Sequence, residues 1–254
     1  MEKVAIEIDG KRLSVAVRER TAGPRWIVAL HGLQGNQSVY ESLFTRDVFS
    51  EFSILTMDFV GFGDSDKPSD FEYTLQNQAK VVCAVLEKKK IVKLALVGHS
   101  FGAMVSTLLT QVLDGQLTDF ANLEGNLTLK DCGESAKAVG LNEQEFIADY
   151  EARKKRIATD GASGPTRARA LEKVPAHVFY SMAKSIVANA SNPGFLETFE
   201  CASARKLLVV GGASKYTTRS PRNTQVKTIE GATHFMLLEK PDETFTAVAS
   251  FLNS

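Results

Sequence analysis

Gly98-His99-Ser100-Phe101-Gly102 constrains this chain more than any other stretch, because of what lies on either side of it. Lys93-Leu94-Ala95-Leu96-Val97 precedes it, a short apolar run of the kind that makes a buried strand. Ala103-Met104-Val105-Ser106-Thr107-Leu108-Leu109 follows, good helix-forming material without a breaker. A G-x-S-x-G between a strand and a helix is the pattern of a nucleophile elbow, a turn so tight that only glycines fit around the serine. Such a turn lifts the Ser100 hydroxyl above the sheet, while the helix start beneath it offers backbone N–H groups and a positive dipole end. A glycine-rich turn that merely joined two elements would leave the features below unexplained.

A chain of 254 residues can bury a sizeable core and suits one domain that carries an insertion. Lys plus Arg equals Asp plus Glu at 30 each, so net charge points to no nucleic-acid or membrane-surface partner. No apolar run approaches the roughly 18 to 20 residues of a membrane span. Met1-Glu2-Lys3-Val4-Ala5-Ile6 runs directly into a strand-like pattern without a signal segment, which makes the cytoplasm the expected location. The three cysteines, Cys83, Cys132 and Cys201, suit a reducing compartment and have no metal-ligand spacing. Only Cys132 lies near a suspected catalytic segment.

The opening predicts two antiparallel strands over 4–8 and 13–18, joined at Asp9-Gly10, a strong hairpin signal. Apolar runs at 26–30 and 52–57 read as parallel strands buried on both faces. Helical patterns cover 39–49 and 75–90, the second with Ala79, Val82, Cys83 and Leu86 on one face. Further strands are expected at 117–123, 206–210 and 224–229, and a closing helix at 242–252 behind Pro241. This alternation means an α/β sheet, mostly parallel and twisted, with helices on both faces. Residues 1–124 and 202–254 would form that core. Between them, 125–201 is helical and charged, and reads as an inserted cap over the sheet's C-terminal edge, where open α/β sheets bind ligands. Within it, 160–165 reads as a flexible run and Arg153–Arg156 as a solvated helix face.

A serine hydroxyl needs a histidine to take its proton, and the histidine needs a carboxylate to orient it. The chain has four histidines. His99 lies inside the elbow and reads as a packing residue pointing away from Ser100. His31 follows an early strand and His177 falls in the cap. His234 follows the last strand through Glu230-Gly231-Ala232-Thr233 and precedes the last helix, a loop able to reach back to the elbow.

With these features the sequence resembles the α/β-hydrolase family over nearly its whole length. His31-Gly32 after the third strand adds to the likeness, as does Asp58-Phe59-Val60-Gly61-Phe62-Gly63-Asp64-Ser65 after the fourth, similar to the family's D-x-x-G-x-G-x-S loop. The resemblance implies an oxyanion hole made by the backbone N–H groups of Leu33 and Phe101, and a structural role for Asp58. It also implies an acid on the turn after the seventh strand, and there this chain departs. Val209-Val210-Gly211-Gly212-Ala213-Ser214-Lys215-Tyr216 contains no Asp or Glu. The sixth strand ends in Asn122-Leu123-Glu124-Gly125-Asn126, and a carboxylate on that neighbouring strand could serve the same histidine, as in some lipases. Glu124 is the expected acid, with Gly125 allowing the sharp reversal that follows. Asp131, no acid at all, and a Glu124 paired instead with a cap arginine are the alternatives.

A serine nucleophile excludes the aspartate chemistry of the related haloalkane dehalogenases and epoxide hydrolases. A Ser100–His234–Glu124 set implies acyl transfer from a small-molecule carboxylic ester, thioester or lactone through an acyl-enzyme, with no metal or organic cofactor. The rival readings are a cofactor-independent lyase, an acyltransferase, or a ligand receptor on the same scaffold. Phe146, Tyr150, His177, Phe179, Tyr180 and Met182 are candidates for shaping the acyl pocket, with ordinary cap core as the competing expectation.

Overall fold

The fold follows from how eight strands share two cores. A computed structural model describes residues 2–254. Strands β1 (Glu2–Ile8) and β2 (Lys11–Arg20) form the expected hairpin, with Asp9 and Gly10 at φ 50° and 80°. Positive φ at both central residues matches the turn to the right-handed twist of the strands. Then come β3 (Trp26–Leu30), β4 (Ser53–Met57), β5 (Leu94–His99), β6 (Leu117–Leu123), β7 (Arg205–Gly211) and β8 (Gln225–Ile229). Their order across the sheet is β1-β2-β4-β3-β5-β6-β7-β8, antiparallel from β1 through β4 and parallel from β4 through β8.

Alternate residues of the central strands point to opposite faces. Val28, Leu30, Leu55, Leu96 and Phe120 join one core, and Ile27, Ala29, Ile54, Val97 and Ala121 the other. Since β4 flanks β3 on one side and β5 on the other, the chain direction across the sheet switches at β3 and β5. Such a switch point leaves a crevice at the carboxyl ends of the strands.

The stretch 39–49 is not the continuous helix its apolar spacing predicts. It contains α1 (Glu41–Thr45) between two single 3₁₀ turns, and Arg46 interrupts it in an extended conformation with ψ 130°. Tyr40 explains the tight packing, since its hydroxyl donates to the carbonyls of Leu30 and Val97 at 2.8 and 3.2 Å. Helix α2 (Leu75–Lys88) is capped by Thr74, which accepts from the Asn77 N–H at 3.2 Å. Its buried face runs through Val81, Val82 and Val85, so Cys83 sits at the edge of that face and not within it. Helix α3 (Phe101–Val112) leaves the elbow.

Between β6 and β7 the chain is helical: α4 (Gly133–Val139), α5 (Glu143–Ala158), α6 (Gly164–Leu171), α7 (Ala176–Ala190) and α8 (Pro193–Cys201). Two local expectations fail here. The run 160–165 is a turn that opens α6, with Pro165 in the first helical turn and Ser163 buried. Proline suits that position because its fixed φ is already helical. The basic run is half buried: Lys155 and Arg156 are exposed, but Arg153 and Lys154 are not. Arg153 covers the Phe146 ring at 5.1 Å, and Lys154 bridges Glu151 and Glu172, both at 2.9 Å. Long basic side chains can bury their stems if their ends find carboxylates. The chain closes with α9 (Met236–Glu239) and α10 (Pro241–Leu252), which packs Phe245 and Val248 into the second core. Among the described residues no helix is long and apolar enough to cross a membrane.

Candidate active site

Ser100 stands between β5 and α3 with φ 53° and ψ −123°, a backbone conformation that a non-glycine residue adopts at a cost of about 1–3 kcal/mol. The flanking glycines are steric requirements. A Cβ on Gly98 would lie 2.5 Å from Ala103 Cα, and one on Gly102 would collide with the Leu30 carbonyl oxygen. The Ser100 N–H donates to Leu123 O at 3.0 Å, which ties the elbow to the end of β6.

One residue past that end lies Glu124, with φ 48° and a side chain that is 0% exposed. Here the expectation needs correcting. Glu124 itself makes the left-handed turn, and Gly125 has ordinary φ. Glycine is needed at 125 for space, since a Cβ there would come within 2.5 Å of the Ala103 Cβ. The turn aims the Glu124 carboxylate at the histidine loop. Oε1 accepts from the Gly211 N–H at 2.7 Å, and Oε2 accepts from Ser214 Oγ at 2.8 Å and from His234 Nδ1 at 2.8 Å. A buried charge must be paired and hydrogen-bonded, and this one is.

The bond to Glu124 puts the proton on His234 Nδ1 and leaves the Nε2 lone pair free. His234 is 30% exposed at the side chain and shares one cavity with Ser100 and Glu124. Among the described residues no hydrogen bond joins Ser100 Oγ to His234, a contact that in such sites often tightens only with substrate.

His99 does more than fill space. Its ring lies 4.9 Å from that of His234, and its Nε2 donates to the His234 carbonyl at 2.8 Å. Burial, with the nearby His234, pushes its pKa down to about 3, so it stays a neutral donor. The signal in the sequence was its place beside the nucleophile. Ser214 was also missed, although it occupies the turn where the resemblance puts an acid.

Leu33 and Phe101 are both buried. Among the described residues neither backbone N–H has an acceptor in the loops or side chains around it. His31 holds the Leu33 loop: its Nε2 accepts from the Phe59 N–H at 3.2 Å and its Nδ1 donates to Gly32 O at 2.9 Å. Burial lowers its pKa and keeps it in this neutral form. Asp58 braces the loops on both sides, accepting from the N–H groups of Gln37 at 2.8 Å and Asp64 at 2.9 Å.

Asp131 is engaged elsewhere. It accepts from Thr217 N and Oγ1 at 2.9 and 2.7 Å, and from Thr218 and Thr128. Partial burial would raise its pKa, but those hydrogen bonds outweigh burial and lower it. Cys132 is buried and its thiol is pushed up to about 12 by burial and by Asp131, so it is a poor thiolate.

The cavity above Ser100 measures about 410 Å³. Leu33, Gln34 and Phe235 line it from the core, and Lys130, Glu134 and Arg167 from the insertion. None of the six expected pocket-shaping residues lines it. Phe146, Tyr150, Phe179 and Tyr180 pack on one another instead, with Phe146 and Phe179 stacked at 5.5 Å. Met182 is buried, and the His177 ring sits 6.0 Å from that of Tyr73.

The family described as alpha/beta hydrolase fold matches residues 25–134. The uncharacterized hydrolase YugF of Bacillus subtilis is 34% identical over 86 residues, 33% of this chain and 30% of that protein. The chain spans about a third of the length of the curated relatives it matches. A structure from work on carboxylesterases of the thaumarchaeon Nitrososphaera gargenis superposes with a TM-score of 0.83 at 15% identity, covering 98% of both chains. The esterase EaEST of Exiguobacterium antarcticum gives 0.80 at 15% identity, covering 100% of each. At these identities the likeness is one of fold. Taken with the strand order and the inserted helices, these matches show that the chain has the α/β-hydrolase fold of esterases and lipases.

Proposed function

We propose that this protein is a serine hydrolase that cleaves a carboxylic ester, or a thioester or lactone, through an acyl-enzyme. The observation that carries the reading is the buried Glu124 carboxylate 2.8 Å from His234 Nδ1, in the cavity that also exposes Ser100. Ser100 Oγ attacks the carbonyl carbon as its proton passes to His234 Nε2. Negative charge develops on the carbonyl oxygen, and the Leu33 and Phe101 N–H groups, fixed in advance, stabilise it. Glu124 stabilises the imidazolium without taking its proton. His234 then protonates the leaving oxygen or sulfur, and the carbonyl–leaving-group bond breaks. A water attacks the acyl-enzyme by the same path in reverse, releasing the acid and restoring Ser100.

The test is turnover of p-nitrophenyl esters of graded acyl length, combined with fluorophosphonate labelling of Ser100. Steady hydrolysis and a label on Ser100 are expected. A label without turnover of any ester, thioester or lactone would favour a receptor or a lyase and overturn the reading.

A further inference from the structure

Helix α6 touches both loops that the proposed chemistry depends on, and it does so through Arg167. This side chain is 2% exposed, unusual for an arginine unless it is held on several sides. Nη1 donates to Gln34 Oε1 at 3.1 Å, one residue after the proposed oxyanion donor Leu33. Nη2 donates to the Asp160 carbonyl at 2.9 Å and to its carboxylate at 2.6 Å. The guanidinium lies over the other loop, its central carbon 3.8 Å from the centre of the Phe235 ring. Phe235 in turn meets the His234 ring edge-on at 5.2 Å and 81°. A second tie comes from the same helix start. Ser163 Oγ donates to Glu239 at 3.2 Å, and Glu239 accepts from Thr233 N and Oγ1 at 2.8 Å each. The residues before and after His234 are therefore both braced from α6.

Among the described residues Arg167 Nε is buried without a partner. An unpaired buried donor is destabilising, and in a native protein it asks for a reason. A lysine could hold Asp160 as well, but only a planar guanidinium can stack on Phe235 and reach Gln34 at once.

We propose that Arg167 is a positioning residue that fixes the Leu33–Gln34 loop and the His234–Phe235 loop relative to each other, so that the oxyanion donors and the base are aligned before substrate binds. This rests on the hydrolase reading for its kinetic consequences and on the contacts alone for its structural ones. Misplacing such groups by a fraction of an ångström lowers the rate of the chemical step more than binding.

The experiment compares wild type with Arg167→Met and Arg167→Lys. Hydrogen–deuterium exchange is followed over 30–37 and 231–238, and kcat and KM are measured on one p-nitrophenyl ester. Arg167→Met should speed exchange in both segments and lower kcat about tenfold to a hundredfold, with KM within about threefold. Arg167→Lys should recover little of the loss. Combined with Gln34→Ala, the kcat effects should be less than additive. Faster exchange confined to 160–170 would overturn the proposal even if no ester were turned over. So would unchanged kcat in an Arg167→Met protein whose wild type is active. Failure of the wild type on every ester, with both loops loosened by Arg167→Met, would instead count against the hydrolase reading alone.

Discussion

Strands β6 and β7 lie side by side beneath the histidine loop, and their ends are built differently. Strand β6 runs straight into a buried carboxylate, Glu124, held at φ 48°. Strand β7 ends in Gly211 and runs on into Gly212, Ala213 and Ser214, which bring small size and hydrogen-bond donors. A Cβ on Gly211 would lie 2.5 Å from the Thr233 carbonyl oxygen, so the histidine loop can settle only over a glycine. The carboxylate and the room for it therefore come from different strands. What matters for orienting a histidine is where a carboxylate arrives at the sheet edge, and either strand can deliver it. Ser214 then donates a hydrogen bond to the Glu124 carboxylate without replacing it.

The largest effect should come from a change that spares both strand ends. Ser100→Ala removes the group that would form the acyl-enzyme, and should cut kcat by about four to six orders of magnitude with the fold intact. Steady-state kinetics beside a circular dichroism melt checks this, and a tenth of the wild-type rate remaining would show that another group does the chemistry. Glu124→Gln keeps the shape of the β6 end but removes its charge. It should lower kcat by about a hundredfold to ten-thousandfold.

Exchanging the roles of the two strands sharpens the comparison. In Glu124→Gln/Ser214→Asp, a carboxylate on the β7 turn would stand near the place Glu124 Oε2 now occupies, 2.8 Å from Ser214 Oγ. About tenfold of the lost rate should return relative to Glu124→Gln alone. Ser214→Asp in the wild type should instead slow the enzyme, because two carboxylates would crowd one histidine. If the double variant were slower than the single, strand identity would matter after all.

The smallest effect on rate belongs to the other candidate acid. Asp131→Asn should leave kcat within about threefold, since Asp131 braces Thr128, Thr217 and Thr218. Its consequence is stability. The folded-state pKa of Asp131 is depressed, so its contribution is present above the ordinary carboxylate pKa and is lost as pH falls through the lower folded value. The melting temperature of Asp131→Asn should fall below that of wild type at neutral pH, and the gap should close in acid. A constant gap across pH would show that charge is not the cause.

The sheet was legible in the sequence, and so was the gathering of Ser100, His234 and Glu124 around one cavity, because each rests on a short-range pattern. Strand β6 was readable from 117–123, the elbow from five residues, and His234 from its place after the last strand. The missing acid after Val210 was an absence visible in eight residues. Long-range features were not legible. Arg153 and Lys154 are buried because Glu134 of α4 and Glu172, just past α6, reach them. The stretch 39–49 breaks into turns because Tyr40 and Arg46 answer to partners far along the chain, Tyr40 to Val97 and Arg46 to Asp242. Aromatic residues of the insertion suggested a pocket wall, yet they bury one another, and charged side chains line the cavity instead. Periodicity reports that a face is apolar but not what it packs against.

In the proposed mechanism Glu124, from β6, orients the histidine that activates Ser100. The second-order rate constant for phosphonylation of Ser100 by a fluorophosphonate reads that activation without requiring the natural substrate. Mass spectrometry of the labelled peptide should place the adduct on Ser100, and Glu124→Gln should slow its formation by about a hundredfold or more at neutral pH. Equal rates in the two proteins, or an adduct on another residue, would contradict the account.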